Sequence, residues 1–146
     1  MAELFMREGA RAVISADVVD AADADQSLVK FVKMDVTKND QWKTVIDDIV
    51  AEHGKIDILI NNAGINIRGP IQQLTEAEWD AVLDTNLKGP FLCARAFGPR
   101  MVARGWGRVI NLGSILGAVG MAGRSPYASS KAGIMNLTRV LALEWA

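Results

Sequence analysis

Four short apolar runs, each closed by a small or polar residue and parted from the next by other patterns, constrain this 146-residue chain more than any other feature. They are Ala12-Val13-Ile14, Leu28 to Met34, Ile56 to Ile60 and Val109-Ile110-Asn111-Leu112. The second carries Val29, Phe31 and Val32, β-branched and aromatic residues that suit a pleated surface. The third is interrupted only by Asp57, as expected of a strand buried on both faces of a parallel sheet. From Thr37 to Gly54, Trp42, Val45, Ile46, Ile49 and Val50 recur at three-to-four spacing. This predicts an amphipathic helix with Thr37 as N-cap and Gly54 just past its end. Thr75 and Glu78 form a capping box, with Leu74 placed to staple against Trp79. The helix it opens should reach about Ala103 and bend at Gly89-Pro90, where proline removes a backbone donor. Ser125-Pro126 opens a last helix, serine as N-cap and proline first in the helix, which runs to the end of the chain. Strand and helix in alternation imply right-handed βαβ units, hence an α/β fold built on a doubly wound parallel sheet in a single unit, residues 1–146.

Composition removes several classes of function. Sixteen basic and seventeen acidic residues give a net charge of −1, without the cationic footprint that binds phosphate backbones, so nucleic acid is not an expected partner. One cysteine, Cys93, excludes an internal disulfide, and with one histidine, His53, it excludes a zinc site built mainly from Cys and His, so no metal is expected. No apolar run approaches the ~20 residues that cross a bilayer. Met1 to Arg11 mixes charges of both signs, unlike a signal peptide, and a cytoplasmic location is expected.

A doubly wound sheet holds its ligand beyond the carboxyl ends of its strands, so the residues after each run are the informative ones. Asp17 follows the first. A carboxylate there accepts from a ribose diol and repels a 2′-phosphate, and it equally serves as a solvated turn residue. Asp35, followed by Val36, suits an adenine amine or the start of a helix. Asn61-Asn62-Ala63-Gly64 offers small residues where a flat ring and a sugar need close backbone approach, and the same residues make ordinary turns. Ser114 puts a hydroxyl at the mouth of the crevice.

Tyr127, the only tyrosine, stands four residues before Lys131 in the last helix, on the same face. A phenol is a poor acid-base catalyst at neutral pH, but an ammonium beside it stabilises the phenolate, and so does the positive end of a helix dipole in the first turn. Such a tyrosine becomes a usable proton donor or acceptor.

In order along the chain, Asp17, Asp35-Val36-Thr37, Asn61-Asn62-Ala63-Gly64, Asn86 within Thr85-Asn86-Leu87-Lys88-Gly89, Ser114 and Tyr127-Ala128-Ser129-Ser130-Lys131 resemble the short-chain dehydrogenase/reductase family. Twelve residues separate Ser114 from Tyr127, the family's spacing. The resemblance implies a Rossmann-like oxidoreductase that interconverts a secondary alcohol and a ketone with NAD, NADP being the alternative. Tyr127 would move the proton, Lys131 would support it and bond the nicotinamide ribose, Ser114 would polarise the carbonyl, and Asn86 would hold a water linking Lys131 to solvent. Asp17 would hold the adenosine ribose, Asp35 and Val36 would flank the adenine, and Asn61, Asn62, Ala63 and Gly64 would line the cofactor's sugar. It also implies a homodimer or homotetramer packed through the helices starting at Thr75 and Ser125. Gly64 to Ile71 and Leu112 to Gly117 look most like the branch that oxidises sugar acids and sugars, such as gluconate 5-dehydrogenases, while 3-oxoacyl-carrier-protein reductases share nearly all the landmarks.

The family opens with a strand and a Thr-Gly-x-x-x-Gly-x-Gly turn that binds pyrophosphate, and Met1 to Gly9 reads as the tail of the helix after it. The resemblance therefore implies a chain truncated at both ends, with the first strand missing from between those ending at Asp17 and Ile60. Two sheet edges would then lie open. The isolated chain is expected to be marginally stable and to bind NAD poorly, an expectation that micromolar binding in an NADH fluorescence titration would contradict. A non-catalytic module that oligomerises through its long helices is the reading from another class, and an incomplete excerpt of a longer gene is a third.

Overall fold

The computed structural model describes residues 1–19 and 29–146, which divide into two compact units, Met1–Asp35 and Val36–Ala146. In the first, α1 (Ala2–Arg7) is the short helix expected of the opening residues, and Gly9 leaves it at φ 90°, a conformation that favours glycine. Strands β1 (Ile14–Asp17) and β2 (Lys30–Lys33) pair in parallel, Ile14 opposite Lys30 and Asp17 opposite Lys33. The first strand therefore starts at the end of its apolar run and takes in Asp17. Its limits follow the ladder, from Lys30 N–H on the Val13 carbonyl to Met34 N–H on that of Asp17, and not side-chain polarity. Val29 and Met34, on either side of β2, are buried; Leu28 lies outside the described residues.

The second unit carries α2 (Asn39–His53), β3 (Ile58–Asn61), α3 (Glu76–Leu83), α4 (Gly89–Arg104), β4 (Arg108–Asn111) and α5 (Ser125–Glu144). Gly54 ends α2 in the left-handed region, at φ 78°, as its sequence implies. The N-cap is Lys38 instead of Thr37 and makes no side-chain cap. Asp40 in the first turn supplies the negative charge that suits this end. The Trp42 indole donates to the Val36 carbonyl (2.9 Å) and meets Phe97 of α4 edge-on, with centroids 5.9 Å apart. Ile46, Leu92, Cys93, Ala94 and Met101 are buried as well.

Strands β3 and β4 form a second two-stranded parallel sheet, Ile58 opposite Arg108 and Asn61 opposite Asn111. Burial on both faces does not hold for it: Leu59 is buried, whereas Ile58 is 43% exposed and Ile110 on the partner strand 44%. Alternate residues point to opposite faces, and the two faces are covered unequally.

The capping box forms as expected. Glu78 N–H donates to Thr75 Oγ1 (3.2 Å), and the Thr75 amide donates to Glu78 Oε2 (2.8 Å). The expected long helix is continuous in backbone but changes type: between α3 and α4 lies a π-helical segment, Asp84–Lys88, in which Gly89 N–H reaches back to the Asp84 carbonyl. Pro90 explains its location, because proline has no N–H to give to the carbonyl four residues back, that of Asn86. At α5, Arg124 takes the N-cap position, Ser125 is the first helical residue and Pro126 the second. The first turn has free amides, so it accepts a missing N–H at more than one position, and Ser-Pro marks the turn without fixing the cap.

Candidate active site

Tyr127 stands in the first turn of α5, one turn before Lys131, and the Lys131 Nζ lies 5.7 Å from the centroid of its ring. That is within the reach of a cation–π contact. Lys131 is 6% exposed. Burying an ammonium is costly without acceptors, and Nζ has one in the Leu112 carbonyl at 2.5 Å, just past β4. The Tyr127 hydroxyl has no hydrogen-bond partner among the described residues, and its ring is half-buried. Helix periodicity thus brings together a phenol free to meet a ligand and a cation held from the strand side.

Ser114 caps a 3-10 turn, Ile115–Gly117, accepting the Leu116 N–H at 3.2 Å. An accepting hydroxyl keeps its own hydrogen, so Ser114 retains a donor for a ligand oxygen. The turn lies directly on α5. A Cβ on Gly117 would stand 2.8 Å from both the carbonyl carbon and oxygen of Lys131, so this approach requires glycine.

Asn86, 2% exposed, lies in the π-helical segment with its amide committed to protein. Oδ1 accepts the Ile65 N–H (2.8 Å), while Nδ2 donates to the Ile65 carbonyl (2.9 Å) and to Ser130 Oγ (3.0 Å). Both side-chain N–H groups are therefore in use. Ser130, fully buried, donates in turn to the Tyr127 carbonyl at 2.7 Å. Sequence reasoning treated Ser130 only as part of a motif. The available signal was a small polar residue on the inward face of α5, which Tyr127, Lys131 and Ile134 share.

At the strand ends the expected residues separate into two groups. Asn61 donates from Nδ2 to Asn111 Oδ1 (2.7 Å), Asn111 Nδ2 to Thr138 Oγ1 (2.9 Å), and Thr138 to the Ile134 carbonyl (2.7 Å). This bridge ties β3 and β4 to α5. Asn62, Ala63 and Gly64 are exposed beyond it. Val36 packs on the start of α4, where a Cβ on Gly89 would meet its methyl at 3.0 Å. In the first unit, Asp17 closes β1, exposed, with Oδ1 accepting the Val19 N–H at 3.2 Å, the turn arrangement foreseen as its alternative. Asp35 is half-buried. A cavity of about 280 Å³ lined by Asn111, Gly113, Ile134, Met135, Thr138 and Arg139 touches none of Tyr127, Lys131, Ser114 or Asn86, so it carries no part of the assignment. Among the described residues no cluster of His, Cys, Asp or Glu could hold a metal ion, and no helix is long and apolar enough to cross a membrane.

The family model for short chain dehydrogenases matches residues 1–146. An NAD-dependent glycerol dehydrogenase of Listeria innocua is 39% identical over 150 residues, covering all of this chain and 59% of that protein. A 3-oxoacyl-(acyl-carrier-protein) reductase of Staphylococcus epidermidis is 42% identical over 115 residues, 79% of this chain and 47% of the relative. The chain thus spans about half the length of these relatives. Among solved structures, aldohexose dehydrogenase of Thermoplasma acidophilum in ligand-free form superposes with a TM-score of 0.92 at 33% identity, covering 99% of this chain and 55% of that one. A short-chain dehydrogenase from Streptomyces avermitilis gives 0.88 at 32%, covering 98% and 54%. These relatives show the family and do not single out a branch within it. With all 146 residues matched, the chain belongs to the short-chain dehydrogenase family.

Proposed function

We propose that residues 1–146 form part of one dinucleotide-binding domain of an oxidoreductase that interconverts a secondary alcohol and a ketone on a sugar acid or similar small polar substrate. The observation that carries this reading is the pairing of a Tyr127 hydroxyl without a partner among the described residues with the buried Lys131 ammonium, 5.7 Å from the ring centroid. The chain's own groups fit a nicotinamide ribose. Lys131 has two N–H donors beyond the one given to Leu112, and the exposed Asn62 to Gly64 turn has small side chains that permit close approach.

A bound nicotinamide supplies hydride acceptance or donation at the substrate carbon. In alcohol oxidation Tyr127 takes the hydroxyl proton as that carbon loses hydride, and it returns a proton when the ketone is reduced. Lys131, its ammonium 5.7 Å from the Tyr127 ring centroid, would bond the ribose hydroxyls. Ser114 donates to the substrate oxygen and orients it. Asn86 holds the loop after β3 against α5 and, with the carbonyl that Pro90 leaves without its usual donor, keeps a water in reach of Lys131. Asp17 would accept from the adenosine ribose, a preference for NAD over NADP that agrees with the NAD-dependent glycerol dehydrogenase relative, and Asp35 and Val36 would flank the adenine.

A small polyol or sugar substrate draws support from relatives named for glycerol and aldohexose. The 42% identical relative named for 3-oxoacyl-carrier-protein reduction favours a second reading in which a carrier-bound ketone is the substrate. A homo-oligomer assembled through α3 and α5 in the cytoplasm completes the proposal; Val140 and Leu143 on α5 are 42% and 83% exposed, apolar surface that such packing would cover. Were the chain only an oligomerisation module, size-exclusion chromatography would show the assembly while cofactor binding stayed absent. Tyr127→Phe provides the direct test. Turnover of polyol or sugar acid by the protein should fall about 10²–10⁴-fold, with cofactor affinity nearly unchanged. Undiminished activity would exclude the assigned role.

A further inference from the structure

Ser130 has no part in the roles above, yet its hydroxyl sits where three segments meet. A serine inside a helix often bonds back to the carbonyl three or four residues earlier, and this accounts for its bond to the Tyr127 carbonyl (2.7 Å). It does not account for the second bond, from Asn86 Nδ2 at 3.0 Å, across 44 residues of sequence.

The polarity of these bonds is determined at each step. A hydroxyl has one hydrogen, and that of Ser130 is given to Tyr127, so Ser130 presents only a lone pair to Asn86. Asn86 must answer with Nδ2. Its opposite side faces the Ile65 N–H, which needs an acceptor, and receives Oδ1. The second N–H on Nδ2 then meets the Ile65 carbonyl, so the amide grips both polar groups of that residue. Rotating the amide by half a turn would set its oxygen against the Ile65 carbonyl and a donor against the Ile65 N–H. Contact is close on the loop side too, where a Cβ on Gly64 would stand 3.3 Å from Oδ1.

The geometry points to Ser130 as a positioning residue: its hydroxyl fixes the orientation of the Asn86 amide, and through it the Ile65 backbone on the loop after β3, relative to the helical turn that carries Tyr127. The inference rests on Tyr127 being the proton-transferring group. A serine that merely fills space in α5 would affect all of the fold alike, whereas this one acts along a single line to Ile65.

Two measurements on the full protein separate these cases. Ser130→Ala removes the acceptor that orients Asn86, and the loss of one such bond should speed hydrogen exchange at the Ile65 amide about fivefold, with the Ile46 amide in α2 unchanged. Unaltered exchange at Ile65, or equal acceleration at both amides, would overturn the inference. In steady-state kinetics the same variant should lose kcat about fivefold with KM for the alcohol unchanged, and it should lose nothing further in an Asn86→Ala background. Losses that multiply in the double variant would overturn it as well. Should Tyr127→Phe retain full turnover while the Ile65 exchange result holds, the proton-transfer reading fails and the link from Ser130 to the loop remains.

Discussion

Gly117→Ala tests the placement of the loop that carries Ser114. Gly117 does not have a positive φ, so its substitution has no backbone penalty and the effect is steric. The added methyl would stand 2.8 Å from the carbonyl carbon and oxygen of Lys131 and 2.8 Å from Met135 Sδ, where ordinary contact begins at 3.4 Å. Met135 has a flexible end that can move aside; the helix backbone at Lys131 does not. The turn must therefore lift from α5 by more than half an ångström, and overpacking of this kind costs about 1–3 kcal/mol. Gly120→Ala is the matched control, since its Cβ meets nothing within 4 Å and its φ is also unrestricted. A glycine-to-alanine change at such a position stabilises by about 0.4–1 kcal/mol through the unfolded chain. Urea denaturation should then move the two midpoints in opposite directions at constant slope. Activity gives a second readout, because Ser114 rides on the displaced turn, and a shift approaching 1 Å near reacting atoms costs about 10²-fold in rate. Equal midpoints for the two variants would refute the close approach of turn and helix.

Burial pushes the Cys93 thiol well above its ordinary range, so almost no thiolate exists at neutral pH. A thiol reagent should modify native protein only as fast as it unfolds, and modification at the rate of a free thiol would contradict that burial. Hydrogen bonds from the Thr75 backbone and then its side chain hold the Glu78 carboxyl below its ordinary range. The resulting stability is fully present above the usual carboxylate range and is lost as pH falls through it toward the lowered folded value. Glu78→Gln should therefore cost stability at pH 7 and nothing once Glu78 is protonated in both states; a difference that persists in acid would count against the capping box as its source.

The helices were largely legible in advance. The capping box at Thr75 and the glycine ending α2 depend on residues within a few positions of each other, and the Tyr127–Lys131 face depends only on helical periodicity. Errors arose where position depends on a partner. Thr37 and Ser125 looked like caps because hydroxyl residues favour that role, yet the helices start one residue past Lys38 and Arg124. The third strand looked buried on both faces because its composition is apolar, but exposure is set by what covers each face, and Ile58 is open.

Local rules acting on neighbouring residues were enough to determine which segments are helical, that the long helix is disturbed near Gly89-Pro90, and that a tyrosine and a lysine share one face. Only the tertiary structure decided how each amide is used. Asn61 and Asn86 are the same residue type, one bridging β4 and the other gripping Ile65 and Ser130, and nothing in the identity of either side chain distinguishes them. A carboxamide carries both donors and acceptors, so its role is set by the groups that folding brings opposite it, and those lie 50 and 21 or 44 residues away.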